Sequence, residues 1–129
     1  MDFPTELQYT FEHFWIKVEG NTGTIGITEF AQQNLGPITH LKMPSVGSVI
    51  SSGYIIGRIE GVKTGSDLYM VVTGKIIEVN SGLESNPGLL NSDPYSKGWI
   101  IKIHINDLSS MIGLLTADSY AALVRAEML

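Results

Sequence analysis

The glycines and prolines set the strongest constraint on this chain. Fourteen glycines and five prolines are scattered along 129 residues. They cut the apolar residues into short runs, the spacing of short strands and tight turns rather than long helices. Phe14–Val18 reads as a strand, Glu19-Gly20-Asn21 as a turn, and Thr24–Ile27 as a second strand. Ile38–Met43, Tyr54–Glu60, Asp67–Val72 and Lys75–Val79 continue the pattern, with turns at Pro44–Gly47, Ser51–Gly53 and Thr73-Gly74. Asn80–Ser96 is polar and rich in turn residues. In 99–105, Trp99, Ile101, Ile103 and Ile105 alternate with Ile100, Lys102 and His104, which predicts a half-buried strand with Trp99 on the core side.

Helical signals are few. Thr28–Gly36 predicts a short helix, with Thr28 as N-cap, Glu29 in the first turn, Gly36 at the C′ position and Pro37 as a stop. Leu108, Met111, Ile112 and Leu115 fit a helical period, and Asp118 is placed to cap a last helix through Tyr120, Leu123 and Val124. The sum is a mostly β protein with short helices at its edges and a C-terminal helix, a β-sandwich or flattened barrel forming one domain over residues 1–129.

Composition narrows the function. Hydrophobic residues are 43% and charged residues 16%, so disorder is excluded. Eight Lys and Arg against thirteen Asp and Glu give a formal net charge of −5. That is no surface for nucleic acid or an anionic membrane. No apolar run approaches the roughly 20 residues of a membrane span, and the first residues carry neither a basic patch nor an apolar signal core. A cytoplasmic monomer is expected. With no cysteine, disulfides, Cys-ligated metals and thiol nucleophiles of the protein's own are ruled out.

The chemistry-bearing residues are then weighed. His13, His40 and His104 match no zinc spacing, and His104 reads as solvated on an outer strand face. Gly61-Val62-Lys63-Thr64-Gly65-Ser66 places Lys-Thr near glycines. It lacks the lead of a phosphate-cradling loop, and no helix follows. No serine sits on a nucleophile elbow, so catalysis by the chain alone is not expected. Lys63 stands out: it lies on a hairpin tip framed by Gly61 and Gly65, with Glu60 and Asp67 on either side. Nearby carboxylates favour an ammonium, which argues against a Schiff-base or general-base lysine. The arrangement suits a lysine presented for another enzyme to acylate.

Several motifs, in order, resemble the H proteins of the glycine cleavage system, members of the biotinyl/lipoyl carrier superfamily. They are Tyr9–Trp15, Gly26–Gln32, Leu35-Gly36, Glu60–Asp67, Thr73–Asn80 and Asn91–Trp99, so the resemblance runs from about residue 8 to residue 125. It implies a lipoyl/biotinyl hybrid-barrel sandwich with lipoate in amide linkage on Lys63. A tethered arm replaces diffusion with a high effective concentration. The absence of cysteine leaves no protein thiol to scramble the arm's disulfide. Acylation removes one positive charge, taking the formal net from −5 to −6. Glu60 and Asp67 are expected to aid recognition by the attaching enzyme or line the cleft. His13, Phe14 and Trp15 are expected to form part of the wall against which the arm rests.

One departure bears on the cargo. The family carries His-Glu-Trp where this chain has His13-Phe14-Trp15. The resemblance implies that this glutamate, with an aspartate matching Asp67, holds the cationic aminomethyl group, a role Phe14 cannot fill. The substitution favours a lipoate-binding relative serving sulfur oxidation beside a heterodisulfide-reductase-like complex. The alternative is a glycine cleavage carrier working with glycine decarboxylase, aminomethyltransferase and dihydrolipoyl dehydrogenase. A further alternative is a regulatory or lipoate-relay relative. All three require a lipoate ligase, or a lipoyl transferase and synthase.

Overall fold

The computed structural model describes all residues from Met1 to Leu129. The strands are β1 (Gln8–Tyr9), β2 (Phe14–Glu19), β3 (Thr22–Ile27), β4 (Ile38–Lys42), β5 (Val49–Ile50), β6 (Ile55–Gly61), β7 (Gly65–Tyr69), β8 (Gly74–Val79) and β9 (Ile101–Ile105). The helices are α1 (Glu29–Leu35), α2 (Gly82–Ser85), α3 (Leu89–Ser92) and α4 (Ala117–Glu127), with a 3-10 turn at Leu108–Met111. Six strands form one sheet in the order β1-β2-β3-β9-β8-β5, and β4-β6-β7 form a second. Every pairing is antiparallel. This is the mostly β, two-sheet sandwich expected, with a C-terminal helix.

Side-chain alternation builds the core. Ile101, Ile103 and Ile105 of β9 point inward, while His104 is exposed, as the sequence pattern predicts. They join Phe14, Ile16, Ile25, Ile27, Leu35, Ile59, Leu68, Ile76 and others in a buried cluster of eighteen residues. A second cluster of seven lies elsewhere: Leu7, Tyr9, Trp15, Phe30, Ala117, Tyr120 and Val124. There α4 is seated on β1, and the Tyr9 and Tyr120 rings stack at 4.7 Å. Helix α1 serves both, sending Phe30 to the smaller cluster and Leu35 to the larger.

The predicted cap of α1 is present. Thr28 Oγ1 accepts from the Ala31 amide, and Gly36 takes φ 75° after the last turn. Five expectations are corrected. The α4 cap is Thr116, whose hydroxyl accepts from Ser119, and Asp118 lies in the first turn instead. The helical period at 108–115 yields only the 3-10 turn: Leu108 and Ile112 are exposed, while Met111 and Leu114 pack against the larger cluster and Leu115 against the smaller. Trp99 precedes β9 and is half-buried, with Lys102 Nζ 4.8 Å from its ring centre. Strand β7 ends at Tyr69; Met70 still bonds Tyr54 and Gly53 through its backbone, and Met70–Val72 are all buried. The polar stretch after Asn80 holds the one-turn helices α2 and α3, each burying a single leucine, Leu83 or Leu90. No helix is long and apolar enough to cross a membrane.

Candidate functional site: a lysine at a fastened hairpin tip

Strand β6 ends at Gly61 and β7 begins at Gly65, so Val62, Lys63 and Thr64 form the tip, closed by Gly61 N–H donating to Thr64 O at 3.0 Å. The tip does not stand free. Lys63 N–H donates to Leu35 O at 2.9 Å and Val62 N–H to Pro37 O at 3.0 Å, tying it to the bend after α1. Gly61 is required by close approach, since a Cβ there would collide with the Leu35 carbonyl oxygen. The Lys63 stem packs across Gly36, where a Cβ would lie 2.9 Å from Lys63 Cγ. The Lys63 Nζ donates to Gln33 O at 3.3 Å, near the C-terminal end of α1, where carbonyls attract a cation. The residue itself is exposed.

The two carboxylates expected to press on Lys63 do not. Glu60 bonds Arg58 Nε, and Asp67 accepts from Arg58 Nη1 at 3.1 Å. Those bonds, first from Glu60 and then from Asp67, push the Arg58 guanidinium above its ordinary range. The cause is readable in the strands. Arg58 and Glu60 lie two apart on one face of β6, and the hairpin register sets Arg58 opposite Asp67. Both acids therefore serve Arg58.

Beside the tip, between α1 and the β6–β7 hairpin, opens a cavity of about 180 Å³. Its floor is apolar: Phe14, Ile27, Ala31, Leu35 and Ile59. Glu12, His13, Asn34 and the hairpin residues Thr64–Ser66 complete its lining. Phe14 and His13, which the resemblance put in the wall of a cleft, both line this cavity. Trp15 does not, because strand alternation sends it to the opposite face. Its ring covers Gly26, its Nε1 donates to Pro94 O at 3.0 Å, and it belongs to the smaller cluster. Asp67 is likewise outside the lining.

Glu12 is the residue that sequence reasoning missed. It is the sole carboxylate in the lining, it is exposed, and it takes part in none of the four ion pairs. Its position beside His13 in the first motif was the available signal. His13 holds a φ of 73°, sparsely populated by residues other than glycine. Its Nδ1 lies 2.8 Å from the Tyr120 hydroxyl and its Nε2 3.0 Å from Glu127 Oε2, so α4 grips it from behind. The Tyr120 hydroxyl also bonds Thr28 Oγ1 at 2.7 Å, joining the α1 cap to the same network.

A family model described as glycine cleavage H-protein matches residues 7–127. A glycine cleavage system H protein of Carboxydothermus hydrogenoformans is 48% identical over 124 residues, covering 96% of this chain and 95% of that protein. The corresponding protein of Staphylococcus haemolyticus is 47% identical over 96% of this chain and 98% of its own length. A crystal structure of a glycine cleavage system H protein from Mycobacterium marinum superposes with a TM-score of 0.85 at 33% identity, covering 93% of this chain and 97% of the other. These findings correct the preference drawn from Phe14: they back glycine cleavage and give sulfur oxidation no support. With a family model over residues 7–127 and relatives near half identity over almost the whole chain, this protein belongs to the glycine cleavage H-protein family.

Proposed function

We propose that this protein is the lipoyl carrier of a glycine cleavage system, with lipoate in amide linkage on Lys63 and no catalytic step of its own. The observation that carries the reading is the pairing of an exposed lysine on a fastened tip with an apolar cleft lined by the same hairpin. The residues fit the group. Lys63 offers a solvent-facing amine for acylation, and Phe14, Ile27, Leu35 and Ile59 offer a surface against which an aliphatic arm sheds water. When attached, lipoate supplies a disulfide that takes up the aminomethyl group derived from glycine.

The protein's own residues then do three things. The tip's backbone bonds hold the arm's root in place. The cleft floor shelters the arm's end from water. Glu12 supplies the negative charge at the rim that a cationic aminomethyl group needs, in place of a carboxylate at position 14. Glu60 and Asp67, both paired with Arg58, shape the outer face of the hairpin that an attaching enzyme meets. Partners of this reading are a lipoate ligase or a lipoyl transferase and synthase, then glycine decarboxylase, aminomethyltransferase and dihydrolipoyl dehydrogenase. Residues 1–129 act as one carrier domain.

The test begins with the intact mass of native protein beside Lys63→Arg. One lipoyl amide on the first and none on the second is the expected result. The lipoylated protein is then given glycine decarboxylase and glycine, in parallel with the Staphylococcus haemolyticus H protein. Comparable loading is expected. A confirmed arm that stays empty while the comparison protein loads would overturn the glycine cleavage reading.

A further inference from the structure

The two acceptors that fasten the tip, Leu35 O and Pro37 O, flank Gly36 in the bend between α1 and β4. One side chain braces that bend. Asn91 of α3 accepts from Ile38 N–H at 2.9 Å through Oδ1. Through Nδ2 it donates to Gly36 O at 3.0 Å and to Gln32 Oε1 at 2.9 Å. The amide orientation is forced, because the Ile38 N–H demands an acceptor and the Gly36 carbonyl a donor. These three bonds span residues 32 to 38, and none of them touches the hairpin. Two straddle Pro37, whose carbonyl receives Val62, and one holds Gly36, on which the Lys63 stem lies.

We propose that Asn91 is a positioning residue for the modification of Lys63, an inference that rests on reading Lys63 as the lipoylation site. Attachment joins Nζ to the lipoyl carboxyl carbon, delivered as an acyl-adenylate made from lipoate and ATP by a ligase. The nitrogen lone pair forms the amide bond, AMP leaves, and the nitrogen keeps one proton as the amide N–H and releases the others. The rate depends on where Nζ stands when the acyl carbon arrives. Without Asn91 the bend has no side chain spanning it. The acceptors at Leu35 and Pro37 and the surface under the stem then move together. A misplacement of about 1 Å costs up to about a hundredfold in rate in such reactions.

The molecule supplies a matched control. Asn80 also makes three side-chain bonds, donating to Lys97 O at 3.0 Å and Trp99 O at 2.7 Å and accepting from Gly82 N–H at 3.2 Å. None of these touches the Lys63 cradle. The experiment measures kcat and KM for lipoylation of the full chain by a purified lipoate–protein ligase with lipoate and ATP. It also follows amide hydrogen exchange at Val62 and Lys63 against Ile76 and Ile103. For Asn91→Ala the kcat is expected to fall by about tenfold or more, with exchange at Val62 and Lys63 selectively faster. Asn80→Ala should lose stability to a similar degree yet keep wild-type kcat and tip exchange. Wild-type kcat in Asn91→Ala, or an equal fall in Asn80→Ala, overturns the proposal. If Asn91→Ala does not fold, Asn91→Asp, which keeps the acceptor and loses both donors, is read the same way. If wild-type protein takes no acyl group at Lys63, the lipoylation reading fails, and the exchange comparison still decides whether Asn91 holds the tip.

Discussion

At the scale of single residues, Phe14 joins the cleft to the core. Phe14 is 2% exposed and packs edge-on to Tyr69 while forming cleft floor. Restoring a carboxylate there would put a charge among apolar side chains. Phe14→Glu is expected to cost about 2–4 kcal/mol in urea unfolding. An unchanged midpoint would show that the new side chain turns out into the cleft. Glu12 is the better place to probe the cargo. Because it is exposed, its charge is worth about 0.5–1 kcal/mol, so Glu12→Gln should lower aminomethyl loading a few-fold and leave lipoylation unchanged. Equal loading would remove Glu12 from the site. The hairpin tip that carries Lys63 was legible in the sequence, since the framing glycines mark it, whereas the expectation for Phe14 came from the family resemblance. The pairing of Asp67 with Arg58 was not legible, because it depends on a cross-strand register joining residues nine apart.

At the scale of elements, α1 is the piece on which the site is assembled. Its start is capped by Thr28, which is fully buried and shared with Tyr120, and its end supplies the carbonyls that receive the tip. Thr28→Ala removes a cap worth about 1 kcal/mol and the bond to the Tyr120 hydroxyl, about 1 kcal/mol more, while that hydroxyl keeps His13 Nδ1. Thr116→Ala, at the exposed cap of α4, should cost only the first of these. Urea midpoints of the two variants check the difference, and equal costs would argue against the Thr28–Tyr120 bond. The limits of α1 were legible because Thr28, Gly36 and Pro37 are local signals. Helices α2 and α3 were not. Each is a single turn, formed where Leu83 or Leu90 enters the core, and local signals over four residues are too weak to mark it. Strands β1 and β5, of two residues each, were missed for the same reason.

At the scale of the molecule, the smaller cluster makes the fold sensitive to alkali. Burial raises the pKa of Tyr9, Tyr95 and Tyr120 above the ordinary tyrosine value. The native state then holds these protons more tightly than the unfolded chain, whose tyrosines titrate near about 10. Their contribution is complete below that pH and is lost as pH rises toward the native pKa values. Urea midpoints should therefore fall from about pH 10 upward, and less steeply in Tyr120→Phe; an identical slope would remove Tyr120 as a source. The sequence by itself determined the class of fold, the hairpin that presents Lys63, the helix before it and the family, because breaker spacing, alternation and capping act over a few residues and the motifs lie in order along the chain. Only the tertiary structure decided which side of β2 faces the cleft, that Glu12 and not Asp67 lines it, and that α3 reaches back through Asn91 to the bend beneath Lys63. Those outcomes join residues tens of positions apart, and sheet register and packing set them.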